Sequence, residues 1–185
     1  MGFQATGIPG LLLFAPKVFK DGRGFFMESY SQAAFEAEGL NIPFVQDNHA
    51  MSVSKGVLRG LHFQNPPKAQ TKLVRVTRGE VLDVVVDLRA GSPTYGQWKS
   101  FLLSGDNFLQ LLVPKGFAHG YVTLTPDVEF LYKVDELYAP DHDSGILWND
   151  PDLAVDWGVT DPILSPKDTQ LGLLRDLDTP FVFQG

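Results

Sequence analysis

The chain has no cysteine among its 185 residues. That absence excludes disulfides, thiolate metal sites and a cysteine nucleophile, and it suits a cytoplasmic setting. Nor is there an apolar run approaching the length of a membrane span. The stretch Leu11-Leu12-Leu13-Phe14 is only four residues long and predicts a buried strand. The first residues lack the basic start and small-residue cleavage site of a signal peptide. Positive charge is in deficit, with 15 Lys and Arg against 22 Asp and Glu and a formal net charge of −7. General attraction to nucleic acid or to an anionic membrane is thereby excluded, whereas a small anionic ligand needs only a few local cations.

What is present is ordinary for a globular protein: 44% hydrophobic and 20% charged residues, in a length that suits one domain over residues 1–185. The middle of the chain reads as a ladder of strands. Residues 72–78, 80–88, 98–104, 108–114, 118–125 and 128–134 are rich in Val, Leu, Phe and Tyr, with Gly, Pro, Asp or Asn breaks between them. No helical pattern intervenes, so the spacing predicts an antiparallel barrel or jelly roll rather than a parallel sheet. Short helices are expected near the two ends. Residues 31–40 have a Ser start and a Gly39 stop, and residues 164–172 open with Ser165 and Pro166. Between the last strand and that second helix, a turn-rich segment with two tryptophans predicts an ordered loop packed on the barrel.

Histidine is scarce, at four residues, and two of them sit in informative places. Arg59-Gly60-Leu61-His62-Phe63-Gln64 sets His62 two residues before Gln64, where a metal site would want a second imidazole. Regular alternation would put Arg59, Leu61 and Phe63 on one face and Gly60, His62 and Gln64 on the other. Pro114-Lys115-Gly116-Phe117-Ala118-His119 resembles the second signature of cupins, whose histidine is a metal ligand. With Gln64 in place of histidine and the ammonium of Lys72 pointing toward the same cavity, a divalent cation is poorly served, and a metal-free organic site is expected. His49 and His142 are expected at the surface.

An ordered series of segments then points further: DGRGFFMESY, FVQDNHAMS, GVLRGLHFQ, KLVRVTRGEVLDVVVDLR, PKGFAHG, FLYKVDELYAPDHDSGILWNDP and LSPKD. Together they resemble the dTDP-4-dehydrorhamnose 3,5-epimerase family over about residues 7 to 168. The resemblance implies an all-β, cupin-like antiparallel jelly roll without metal or cofactor. It also implies a dTDP-linked 4-keto-6-deoxy sugar as substrate and a homodimer exchanging an N-terminal strand. His62 would be the base, Tyr132 the acid and Lys72 the cation for the enolate, while Asp168 would orient His62. Arg23 and Arg59 would hold the diphosphate, and His119 and Lys167 would touch substrate. Glu28, Gln46 and Asn48 would bind the nucleotide and Tyr138 would stack on thymine. Arg23 and Glu28 would come from the neighbouring protomer. Asp143 stands where the family pattern usually has glutamate.

The chemistry agrees with these residue types. In a 4-keto sugar the C3 and C5 hydrogens are acidified by the carbonyl. Inversion needs a base on one face, an acid on the other and a donor at the C4 oxygen. Several positions have a plainer structural alternative. Asp168, three residues after Ser165, would equally cap a helix, Tyr132 fits any half-buried strand, and Lys72 at a strand start is often solvated. Three alternatives to the double epimerase stay open. They are an enzyme inverting only C3 or only C5, a metal-dependent cupin, and a non-catalytic sugar-binding jelly roll.

Overall fold

The computed structural model describes residues 2–185. Its strands, in chain order, are β1 (Gly2–Ala5), β2 (Leu12–Ala15), β3 (Val18–Asp21), β4 (Gly24–Met27), β5 (Gln46–Ser52), β6 (Leu58–Gln64), β7 (Lys72–Arg78), β8 (Glu80–Asp87), β9 (Trp98–Ser104), β10 (Gln110–Val113), β11 (Phe117–Thr123), β12 (Val128–Val134) and β13 (Asp143–Gly145), with one α-helix, α1 (Gln32–Ala37). A six-stranded sheet runs β1-β2-β10-β7-β12-β5 and a five-stranded sheet runs β13-β6-β11-β8-β9. All strand pairings are antiparallel. The two sheets face each other as a cupin-like jelly roll.

Side-chain alternation sorts the core into layers. On β8, Val81 and Val85 join Val74 and Val76 of β7, Phe117 and Tyr121 of β11 and Phe130 of β12 between the sheets. The intervening Val84 and Val86 face the opposite way, into a second cluster closed by Leu153, Trp157 and Phe181. Both faces of β8 are therefore buried, which explains its run of valines. Leu73 of β7 points outward to a third cluster with Phe14, Phe35 and Leu112.

The loop with two tryptophans is ordered by buried hydrogen bonds. Trp157 Nε1 donates to the Trp148 carbonyl at 2.8 Å. Asp150, 1% exposed, accepts backbone N–H bonds from Asp152, Leu153 and Leu174. Part of the expected loop is instead β13, whose Asp143, Ser144 and Gly145 pair with Gln64, Phe63 and His62. Three residues carry too little periodicity to announce a strand; the free edge of β6 creates it.

The end helices are shorter than the sequence pattern predicts. The first covers Gln32–Ala37 and buries only Phe35, and Ser31 makes no side-chain cap. It stops where Gly39 adopts φ +78° and donates to the Glu36 carbonyl. The second is a single 3₁₀ turn over Asp168–Gln170. Strands β3 and β4 form a two-stranded sheet of their own. Among the described residues no helix is long and apolar enough to cross a membrane.

Candidate active site

A cavity of about 390 Å³ opens between the two sheets, lined among others by Arg59, His62, Lys72, His119, Tyr132 and Asp168. The five-stranded sheet supplies Arg59 and His62 from β6 and His119 from β11. The six-stranded sheet supplies Lys72 from β7 and Tyr132 from β12. Lys72 shares the inward face of β7 with Val74 and Val76, and Tyr132 packs against the same core as Phe130. Neither is an accidental surface residue: the alternation that buries the valines aims the lysine into the cavity. Tyr121 and Phe130, stacked with centroids 4.1 Å apart, form an apolar part of the wall.

Simple alternation fails on β6. Leu58, Leu61 and Phe63 lie in the back cluster, while Arg59 and His62 both reach the cavity. The pairing explains this: His62 stands opposite His119 but Arg59 stands opposite Tyr121, so three steps on β6 match two on β11. The extra residue is a bulge at Gly60, where φ is +127°. A Cβ on Gly60 would come 2.5 Å from Gly120 Cα, and one on Gly120 would meet the Arg59 carbonyl at 2.7 Å. Two facing glycines permit the close approach that turns Arg59 and His62 to the same side.

His62 Nε2 lies 2.5 Å from Asp168 Oδ1. Asp168 is 2% exposed. Burial works to raise its carboxyl, but the hydrogen bond and charge of His62, helped by Ser165 and Lys167, outweigh it and hold the group below the usual carboxylate range. The capping role falls to Ser165, whose Oγ accepts the Asp168 backbone N–H at 3.2 Å. The two expectations for Asp168 therefore separate: serine serves the turn and the aspartate side chain serves the histidine.

Burial pushes the Lys72 ammonium from 10.5 down to about 8, against the opposing pull of Asp143 and Asp83. Burial likewise raises the Tyr132 phenol, with Arg59 opposing, so the phenol keeps its proton. Arg59 itself makes only long bonds, from Nε to Ser52 Oγ and from Nη2 to the Met51 carbonyl, each 3.4 Å. Its guanidinium is left with most of its donors unused.

Around the mouth, Lys167 pairs with Asp143, and Tyr138 donates to Asp143 Oδ2 at 3.0 Å. Tyr138 is 59% exposed, so its ring is open to a stacking partner. Gln46 and Asn48 share the face of β5 that carries Ala50 to the cavity, and Gln46 Nε2 donates to Asn48 Oδ1 at 2.8 Å. Gln64 is occupied elsewhere: Nε2 donates to the carbonyls of Lys68 and Leu137, and Oε1 accepts from the Ala139 N–H. It pins the loop bearing Tyr138. Among the described residues no three His, Asp or Glu side chains gather as a metal-binding set.

Arg23 and Glu28 are not part of this cavity. Arg23 sits at the tip of the β3–β4 hairpin with its side chain 91% exposed, bonded to Asp21, and Glu28 follows that hairpin at the surface. The sequence order of motifs holds them beside the others, but within one chain the fold does not.

The family model described as dTDP-4-dehydrorhamnose 3,5-epimerase matches residues 5–176. The chain belongs to this family. It is 56% identical over 173 residues to the dTDP-4-dehydrorhamnose 3,5-epimerase of Pseudomonas aeruginosa, covering 92% of this chain and 94% of that one. Among solved structures it resembles the dTDP-6-deoxy-D-glucose-3,5-epimerase of Legionella pneumophila, determined in complex with dTDP-4-keto-L-rhamnose. That match has a TM-score of 0.94 and 44% identity, and covers 100% of this chain and 99% of that one. A dTDP-4-dehydrorhamnose 3-epimerase of Streptomyces niveus is more distant, at 37% identity over 95% of this chain and 85% of its own length.

Within this 3,5-epimerase family member, sequence reasoning passed over one residue that lies behind the cavity wall, Asp83. His119 Nε2 lies 2.8 Å from Asp83 Oδ2, and Asp83 is wholly buried. The available signal was a lone aspartate in the valine run of β8, on the same parity as Val81 and Val85.

Proposed function

We propose that this chain is an isomerase inverting C3 and C5 of dTDP-4-dehydro-6-deoxy-D-glucose to give dTDP-4-dehydro-L-rhamnose, in the cytoplasmic biosynthesis of dTDP-L-rhamnose. The observation that carries the proposal is the opposition of walls: His62 with Asp168 on one, Tyr132 with Lys72 on the other. A sugar ring lying between them offers one face to a base and the other to an acid.

His62 takes the proton from the carbon next to the C4 carbonyl, and the electron pair moves into the enolate, whose oxygen the Lys72 ammonium stabilises. Tyr132 returns a proton from the opposite face, and its phenolate and the His62 imidazolium then exchange protons with solvent. The same groups act in turn at C3 and C5. Substrate and product are isomers, so no redox cofactor enters the balance. Asp168, held ionised, orients His62 and stabilises its charged form.

Arg59 binds the diphosphate, with His119 and Lys167 as further contacts. Gln46 and Asn48 hydrogen-bond the nucleotide, and Tyr138 stacks on thymine near Asp143, which is one methylene shorter than the family's usual glutamate. Arg23 and Glu28 complete the site from a second protomer. What supports this is the hairpin itself: β3 and β4 pair only with each other and expose Phe19, Phe25 and Phe26. An apolar projection carrying an exposed arginine, paired only with Asp21 of its own hairpin, has little reason to stay in water.

Two experiments test these statements. Proton NMR of the dTDP-4-keto sugar with the protein in deuterated water should show deuterium at both C3 and C5; exchange at C3 alone makes it a 3-epimerase, and none makes it a binding protein. Mixing Arg23→Ala with His62→Ala protomers should restore activity to about a quarter of native sites, because a mixed dimer holds one intact site. Failure of the mixture to regain activity would rule out sharing.

A further inference from the structure

The β8 run Val81-Leu82-Asp83-Val84-Val85-Val86 places a carboxylate where every neighbour is apolar. Asp83 is 0% exposed, between the sheets, with Tyr121 opposite it on β11 and Phe101 opposite on β9. Oδ2 takes the bond from His119 Nε2, but Oδ1 has no hydrogen-bond partner among the described residues. A buried carboxylate with an unmet oxygen is costly and persists where nearby positive charge compensates for it. Burial raises the Asp83 carboxyl, and His119 first and then Lys72, across the gap between the sheets, work against that rise.

We propose that Asp83 is a positioning residue for the epimerase reaction: from beneath the cavity it fixes the orientation of His119 through Nε2 and serves as the buried counter-ion that keeps Lys72 charged. It does not line the cavity and touches no substrate. With Nε2 engaged, His119 presents Nδ1 to the cavity. With Asp83 ionised below it, Lys72 meets the developing enolate as a cation and not as a neutral amine. Asp143 and Lys167, at the mouth, also act on Lys72, the first raising and the second lowering its proton affinity. His62, Arg59, Tyr121 and Tyr132 from β6, β11 and β12, and Asp168 from the 3₁₀ turn, where it is bonded to His62, are the other titratable or charged groups facing this space. Of the two carboxylates Asp143 pulls the harder on Lys72, but it is the outer one and is already engaged with Lys167 and Tyr138. Asp83 has no such competitor besides His119.

The inference rests on the function proposed above, and the test separates the two. In Asp83→Asn the amide keeps a bond to His119 and loses the charge. The alkaline limb of the kcat–pH profile should move about one unit toward acid, tenfold in the lysine's protonation equilibrium. Below the new limb, kcat should return to within a few-fold of the parent's, with KM changed by less than about threefold. An unmoved limb, or an equal loss at every pH, overturns the proposal. If Asp83→Asn does not fold, Asp83→Asn with His119→Gln removes both members of the buried pair and leaves two amides that can bond. That double variant should show the acid-shifted limb, while His119→Gln alone should not; equal limbs overturn the proposal. A parent protein that exchanges no deuterium into the sugar refutes the function instead. In that case the Lys72 resonance of ¹³C-lysine-labelled protein, titrated in parent and Asp83→Asn, should shift in the same direction, and its failure to shift overturns the counter-ion role.

Discussion

His62 and Asp168 are separated by 106 positions in the chain, yet Nε2 of one lies 2.5 Å from Oδ1 of the other. Asp168→Asn keeps the side-chain shape and the backbone bond to Ser165, and removes the charge that favours a protonated His62. Turnover should fall roughly a hundredfold or more, toward the two to four orders expected for His62→Ala itself, with dTDP affinity unchanged in both. Ser165→Ala should do the opposite, costing about 1 kcal/mol as a lost cap with near-normal chemistry. Thermal melts beside initial rates separate these outcomes. The depressed Asp168 carboxyl also sets a sign: its ionised form contributes stability above the unfolded carboxylate range, and this contribution is lost as pH falls through the lowered folded value.

Lys72 gives a pH signature in the other direction. Burial lowers its ammonium to about 8, so activity should fall as pH rises through that value and the enolate loses its cation. Over the same interval the unfolded chain, with an ordinary lysine, binds more protons than the folded one, so this group's contribution to stability rises with pH. Declining kcat without a declining melting temperature between about pH 8 and 10 is the expected result. Parallel loss of both would assign the limb to unfolding.

Arg59→Ala should raise KM for the dTDP-sugar and weaken dTDP binding by roughly 1.5 to 3 kcal/mol, the range of a charged hydrogen bond. The long bonds of Arg59 to Ser52 and Met51 are too weak to make this a stability effect. Calorimetry with dTDP decides the matter, and unchanged affinity would show that the guanidinium serves only the strand.

Exhaustive chelation should leave turnover intact, because Gln64 is committed to backbone groups and Lys72 supplies the charge a metal would otherwise provide. Loss of activity in EDTA, restored by one divalent ion, would sink the metal-free mechanism.

The strands over residues 80–87 and 128–134 are legible in the sequence because both of their faces are buried or half-buried, leaving runs of Val, Leu and Phe. Strand β5 is not, since Gln46-Asp47-Asn48-His49 alternates polar residues on an edge strand, and its pairing with β12 supplies what its composition lacks. The ordered motifs also carried the family and named several of the side chains that line the cavity, since chemistry constrains residue type wherever the chain runs. What only the tertiary structure decided is which of those side chains meet. The Gly60 bulge overrides strand parity, because two glycines without Cβ let β6 and β11 close up and rotate Arg59 to the side of His62. The division between Ser165 and Asp168 depends on a 3₁₀ turn docking beside β6, and the burial of Asp83 on the opposing sheet that shields it. Such relations arise from packing between segments distant in the chain, and local patterns of three or four residues do not encode them.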